Sequence, residues 1–286
     1  MNIRGVALVL CLYLTILASY SCGKSGADSG KEPEIVTLED GTELVRYSKT
    51  DDYAVRSLKN CTSAVYVLPD ISVNGQRITE MWETAVVGND SIKTMIIQDN
   101  IDSFSFDLYY EFGSLESIFI GAGVRKIWAG TFAQCPNLKQ VTIDVRNADY
   151  YSDNNAVIEK STGRMIAASG ATSKIPDSVV VIGSNAFDNN CCTDMLIPEG
   201  INGIESYAFQ GCEKLRAVFI PSTVAAIESA AFKSTTARHM QVTVFCESVE
   251  KPEGWDENWC GDGVKDFVWG ATVEDYLSFL NINARS

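Results

Sequence analysis

A single histidine, His239, is all that 286 residues supply, and this scarcity removes several chemistries at once. One imidazole cannot build a histidine metal cluster or a paired histidine acid and base. A Cys-His nucleophile pair stays formally open, but nothing around His239 resembles a catalytic motif, and it reads as a surface or strand-edge residue. Basic charge is also short: 23 Lys and Arg face 37 Asp and Glu, for a net charge of -14. Phosphate binding needs clustered Lys and Arg, and the absence of any basic run argues against a nucleic-acid partner. The sequence has no G-x-S-x-G, no P-loop, no H-E-x-x-H and no C-x-x-C, so neither a recognised nucleophile elbow nor a phosphate cradle or zinc site is in view. Carboxylates are plentiful, and a glycosidase needs only two, yet they scatter over solvent positions without a matched pair. No cofactor is expected. Asp149, Asp153 and Asn155 of "DYYSDNN" could offer calcium-like oxygens, but without a second loop or EF-hand spacing they read as the polar shoulder of a hairpin, and no metal site is assigned.

One run is strongly apolar, Val6 to Ala18, behind Arg4 and ahead of small residues around Cys22. It is short for a membrane span and reads as a secretory signal, residues 1–21. Ser19-Tyr20-Ser21-Cys22 resembles a bacterial lipobox with Ser19 in place of the usual Leu. Cleavage there would expose Cys22 for lipid attachment and place the chain on a membrane, at the outer membrane facing the cell surface; ordinary signal cleavage near Ser21 is the alternative. Residues 22–33, polar and Gly-rich, then form a flexible tether.

Nine cysteines lose Cys11 to the signal and Cys22 to the anchor, and an odd number remains, against a complete disulfide framework. Cys135, Cys191, Cys192 and Cys212 lie near equivalent places of a repeat and read as buried repeat positions. Cys246 and Cys260 stand outside it as a candidate disulfide.

The repeat is the dominant signal. Ile97, Ile120, Ile143, Ile175, Ile197 and Ile220 follow one another by 23, 23, 32, 22 and 23 residues. From each except Ile143, the positions 4, 7 and 12 further on are apolar or aromatic: Ile101, Phe104, Tyr109; Val124, Ile127, Phe132; Val179, Ile182, Phe187; Ile201, Ile204, Phe209; Val224, Ile227, Phe232. An earlier, degenerate turn runs through Leu68-Pro69, Ile78, Met81 and Val86, with extra residues near Asn74-Gly75. The I-x-I alternation predicts a short strand with one face inward, and V-x-x-I the return across the other side of a coil. One coil cannot bury these residues alone; stacked coils bury each slot in a continuous ladder, so the period predicts a β-rich solenoid with one short parallel strand per repeat.

The unit L-x-x-I-x-I-(P)-x-x-V-x-x-I-x-x-x-A-F-x-x-C, and above all "IPDSVVVIGSNAF", "IPEGINGIESYAF" and "IPSTVAAIESAAF", resembles the BspA-like leucine-rich repeat of bacterial surface proteins. The resemblance covers about residues 67–246 and loosens toward the N-terminal turns, which lack the Pro and the Ala of Ala-Phe. It implies a leucine-rich-repeat solenoid, no enzyme activity, and an adhesin-like role in which a host extracellular protein or a bacterial surface protein is the partner. An envelope assembly protein that binds another bacterial component is the alternative, and a carbohydrate-active enzyme a third.

The 32-residue step predicts a hairpin insertion, about 144–174, between Ala156–Ile158 and Met165–Ala167 with Ser161-Thr162-Gly163 at its turn. Residues 34–66 predict an N-terminal cap with a hairpin at Asp40-Gly41. Residues 247–286 predict a C-terminal cap, with Trp255, Trp259 and Trp269 in its core and an amphipathic helix presenting Val273, Tyr276, Leu277 and Leu280 on one side. Along the strands, the residue before each anchor points outward: Ile96, Phe119, Thr142, Leu196 and Phe219. As a row these form a candidate binding surface, unless a cap or neighbouring loop covers them.

Overall fold

A computed structural model describes residues 34–46, 52–104, 106, 111–188, 192–234 and 241–283. The expected signal, Cys22 and the tether lie outside the described residues, as do His239, Tyr109 and Cys191.

The chain winds into a solenoid with a front and a back sheet. Front strands Val65–Val67, Thr94–Ile97, Ser117–Ile120 and Gln140–Ile143 run parallel in one sheet, with Ile97 beside Ile120 and Ile120 beside Ile143. A second front sheet holds Asp194–Leu196, Ala217–Ile220, Val242–Cys246 and Val264–Trp269. The coil of Ile175 separates the two and has no front strand. The Ile-Pro of the three C-terminal coils opens a turn in each: the amides of Val179, Ile201 and Val224 donate to the carbonyls of Pro176, Pro198 and Pro221. Proline fits there because its φ is preset and its missing N–H is not needed. In the coil of Ile97 the same turn forms without proline, through Ile101 N–H and the Gln98 carbonyl.

The return segments form two-residue back strands, Val181–Ile182, Gly203–Ile204 and Ala226–Ile227, again parallel and in register. Every slot predicted from the period and described here is buried, from Ile101 and Phe104 to Ile227 and Phe232. Phe187, Phe209 and Phe232 stack at 5.0 Å steps with nearly parallel rings. Toward the N-terminus Phe106 and Phe112 meet edge-on at 5.5 Å and fill the interior beside Phe132.

The insertion is a three-stranded antiparallel meander, Tyr150–Asp153, Ala156–Glu159 and Arg164–Ala168. The expected hairpin is present, with Gly163 at φ +67 in its turn. Its first strand was not legible in advance; Asn154 and Asn155, both at positive φ, make the connecting turn. Successive residues point to opposite faces, so Val157 enters the N-terminal half of the core while Ala156 and Ile158 enter the C-terminal half. The insertion is thus an internal partition as well as a decoration.

At the N-terminal end, Ile35–Thr37 and Glu43–Arg46 form the hairpin around Asp40-Gly41, with Gly41 at φ +87, and Tyr53–Ser57 joins them to the back sheet. The extra residues at Asn74-Gly75 are a second hairpin, between Ser72–Val73 and Gln76–Met81.

Beyond Cys246 the chain makes one more coil. Trp255 pairs with Ile227, Trp259 accepts from the Ala231 amide, and Val264–Trp269 lies parallel to Val242–Cys246. Trp255 and Trp259 are buried and Trp269 packs on the same core. Helix α1, Val273–Asn283, then turns back onto the front of the molecule instead of closing the end. Its buried contact is made by Tyr276 with Phe279 and Leu280, whereas Val273 and Leu277 are exposed. The predicted apolar side is rotated because the sheet contacts the Tyr276–Phe279–Leu280 stripe, three and four residues apart.

Candidate interaction surface

Strand alternation sets the surface. In Thr94–Ile97 and Ser117–Ile120 the burial alternates, with Met95, Ile97, Ile118 and Ile120 inward and Thr94, Ile96, Ser117 and Phe119 outward. Register then aligns Val67, Ile96, Phe119 and Thr142 in one row across the coils, about 4.8 Å apart. Beside it runs a polar row, where the Thr94 and Ser117 hydroxyls lie 2.9 Å apart. At the strand starts, Glu116 bridges Lys93 at 3.4 Å and Lys139 at 3.5 Å. Lys139 first, then Lys93, holds the Glu116 carboxyl below the usual range. At the strand ends, Arg146 reaches Asp144 at 2.8 Å and Asp99 at 3.0 Å. An apolar centre with a polar, charged margin is the layout of a protein-contact patch.

The second half of the same row is different. Leu196 is 44% exposed, but Phe219 is 2% exposed, covered by α1 together with Phe245. The placement of Phe219 on the binding surface is therefore corrected: its side chain does leave the solenoid interior, but Tyr276 closes over it. Between α1 and the sheet a groove of about 260 Å³ remains, lined by Leu196, Lys174, Leu277 and Leu280 among others. Val67, Phe245 and Val268 belong to the row and were missed. Each precedes an anchor-like residue, Leu68, Cys246 or Trp269, so the one-before-anchor rule extended to degenerate coils finds them.

The candidate disulfide is also corrected. Cys246 and Cys260 are free thiols. Cys246 ends a front strand, while Cys260 follows Trp259 at the turn that stacks on Ala231, so the two belong to different sides of the coil. Burial pushes the Cys246 thiol up to about 12. Cys135 and Cys212 are buried at repeat positions as expected, the Cys212 thiol donating to the Phe187 carbonyl at 2.9 Å.

Two carboxylates of the back face, Glu205 and Glu228, are engaged in the stack. Glu205 accepts from the Ser184 amide and hydroxyl at 2.8 and 2.9 Å, and Glu228 accepts from Ser206 in the same way at 3.0 and 2.8 Å. Arg164 makes a two-pronged contact to Glu205, one arm at 2.7 Å. Of the calcium-like oxygens, Asp149 pairs with Arg125 at 3.1 Å and Asn155 accepts from the Val141 amide. Among the described residues no group of three His, Cys, Asp or Glu side chains could hold a metal ion, and no helix is long and apolar enough to cross a membrane.

Parallel strands at a 23-residue period, buried ladders and an outward row define a leucine-rich-repeat solenoid. The pattern of the BspA type leucine rich repeat region matches six copies over residues 55–156 and 169–251, and the chain belongs to that family. Solved structures similar to it include a leucine-rich cell surface protein from Faecalibacterium prausnitzii, 13% identical over 87% of this chain and 98% of that one, with a TM-score of 0.28. A leucine-rich repeat protein from Bacteroides ovatus is 15% identical over 91% and 71%, with a TM-score of 0.39. The pneumococcal vaccine antigen PcpA is 12% identical over 84% and 97%, with a TM-score of 0.27. At such scores the family assignment rests on the repeat. No curated protein matches the chain.

Proposed function

We propose that the chain is a non-enzymatic surface scaffold that uses the open half of its front face to bind a protein, in adhesin-like attachment to a host extracellular protein or a protein on a partner cell. It is exported and held at the outer membrane by a lipid on Cys22, with residues 22–33 as tether. The observation that carries this reading is the uncovered row Val67, Ile96 and Phe119, whose continuation at Phe219 and Phe245 is covered by the chain's own helix. A face that is covered by apolar side chains where α1 reaches it has the same chemistry where α1 does not. Glu205 and Glu228, bound into the coil stack, are consistent with a scaffold and not with a carboxylate pair held ready for hydrolysis.

The test is a binding screen of residues 34–286 against extracellular-matrix proteins, mucin and glycans, beside an Ile96→Ser/Phe119→Ser variant with unchanged circular dichroism. Binding to a protein that the variant loses is the expected result. Absence of binding to any host component, or binding that the variant keeps, sinks the reading. The anchor is tested separately, by fatty-acid labelling that Cys22→Ala abolishes.

A further inference from the structure

The final strand, Val264–Trp269, is the outer edge of the front sheet, and among the described residues no strand lies beyond it. Its inward residues are Val264, opposite Val242, Phe267, opposite Val244, and Trp269, opposite Cys246. In any earlier coil such side chains would be roofed by the next coil. Here Phe267 is 42% exposed, and its ring lies 6.1 Å from Trp269, nearly parallel, with Trp259 5.5 Å behind it. A strand in a parallel sheet uses alternate backbone groups on each side, so half of its N–H and C=O groups point out from an edge. The register shifts at Lys265, so the regular part of this edge is Asp266–Trp269, in which Phe267, Val268 and Trp269 are β-forming side chains.

The opposite end is protected. Just before the first front strand, the Ser63 hydroxyl donates to the Val65 carbonyl at 2.6 Å and accepts from the Val65 amide at 3.3 Å, which occupies the outward groups of Val65. The N-terminal hairpin fills the interior behind it, burying Val36 and Leu44 and pairing the Thr42 and Tyr66 hydroxyls at 2.8 Å. Val264–Trp269 carries Lys265 and Asp266, 3.7 Å apart and turned to each other, and a register shift at Lys265, which leaves Asp266–Trp269 as its open segment.

We propose that Val264–Trp269 is a self-docking edge, which pairs antiparallel with the same strand of a second copy and joins two solenoids end to end. One open end and one protected end decide the stoichiometry. The same patch must meet itself, so the contact is isologous and closes at two copies, with no route to a fibre. The sequence also selects the register. Pairing centred on Phe267 sets the two Phe267 rings together and places Asp266 across from Val268 within the regular segment Asp266–Trp269. Pairing centred on Asp266 would oppose two carboxylates. The surface is separate from the front-face row and does not depend on the binding role assigned to it.

Sedimentation velocity of the full chain across low to high micromolar concentration tests the proposal. A monomer–dimer equilibrium is expected, and Phe267→Lys, checked for fold by circular dichroism, should weaken it about tenfold or more. Because Phe267 also packs on Trp259, a second variant is needed: Asp266→Cys/Val268→Cys should oxidise to a covalent dimer in which position 266 of one copy is linked to position 268 of the other. A monomer at every concentration, an open-ended polymer, or a dimer that ignores Phe267→Lys and shows no 266–268 link overturns it.

Discussion

The rings of Phe219 and Tyr276 lie 6.1 Å apart at 55°, and this one contact decides how much of the front face is open. Tyr276 also meets Phe245 edge-on at 5.8 Å, where Phe279 joins it at 5.3 Å, so two helical side chains cover Phe245 and Tyr276 covers Phe219. Tyr276→Ala should cost about 3 kcal/mol and uncover Phe219, whereas Phe245 keeps Phe279. Urea unfolding measures the first effect, and increased binding of an apolar dye to the still-folded variant the second.

Phe209 is stacked between Phe187 and Phe232 with both neighbours at 5.0 Å. Phe209→Ala should cost about 3 to 5 kcal/mol, since close stacks on both sides cannot collapse into the space left. Hydrogen exchange should show the loss concentrated in the coils of Ile182, Ile204 and Ile227, because a solenoid transmits stability only between neighbours. Uniform loss across the chain would contradict that locality.

Glu205 ties stability to pH. Burial pushes its carboxyl up, but Arg164 and the Ser184 amide and hydroxyl outweigh it and hold the group below the usual range. The folded state therefore favours the carboxylate, and on acidification the unfolded chain takes up the proton first. The contribution is complete above the ordinary carboxylate value of about 4.3 and is lost as pH falls through the lower folded value. Glu205→Gln should cost about 2 kcal/mol at neutral pH, and the gap to the parent protein should shrink in urea unfolding below pH ~4. A gap independent of pH would show that packing, not charge, is responsible.

Ala230 and Tyr207 occupy the same turn of successive coils in the left-handed region, at φ +59 and +62, and Gly130 holds the corresponding turn at +71. A side chain there costs about 1 to 2 kcal/mol, partly offset by the smaller chain entropy that glycine lacks. Ala230→Gly should therefore stabilise the protein by roughly 0.5 to 1 kcal/mol, read as a higher midpoint in thermal unfolding. A lower midpoint would mean that the Ala230 methyl makes a packing contribution larger than its strain.

The sequence by itself determined the solenoid. Its period places a side chain of the same kind at the same angle on every coil, and burial of Ile, Val and Phe at those slots is a local rule repeated, so Ile97 through Phe232 could be assigned without knowing any long-range contact. The hairpins at Asp40-Gly41 and Gly163 were legible for the same reason, being set by residues that tolerate positive φ, whereas at Asn74-Gly75 only the extra residues were. Only the tertiary structure decided what the outward row can do. Ile96 and Phe219 stand in equivalent places on their strands; what decides their exposure is that α1, some 50 residues after Phe219, returns over one and not the other, and the only local trace of this is Ala217 where the open strand has Thr94. The exposed Val264–Trp269 edge has the same origin, since α1 can cover the front face or the end, but not both. Periodicity fixes neighbours within the stack, whereas coverage of its outer faces depends on where a non-repeating segment docks.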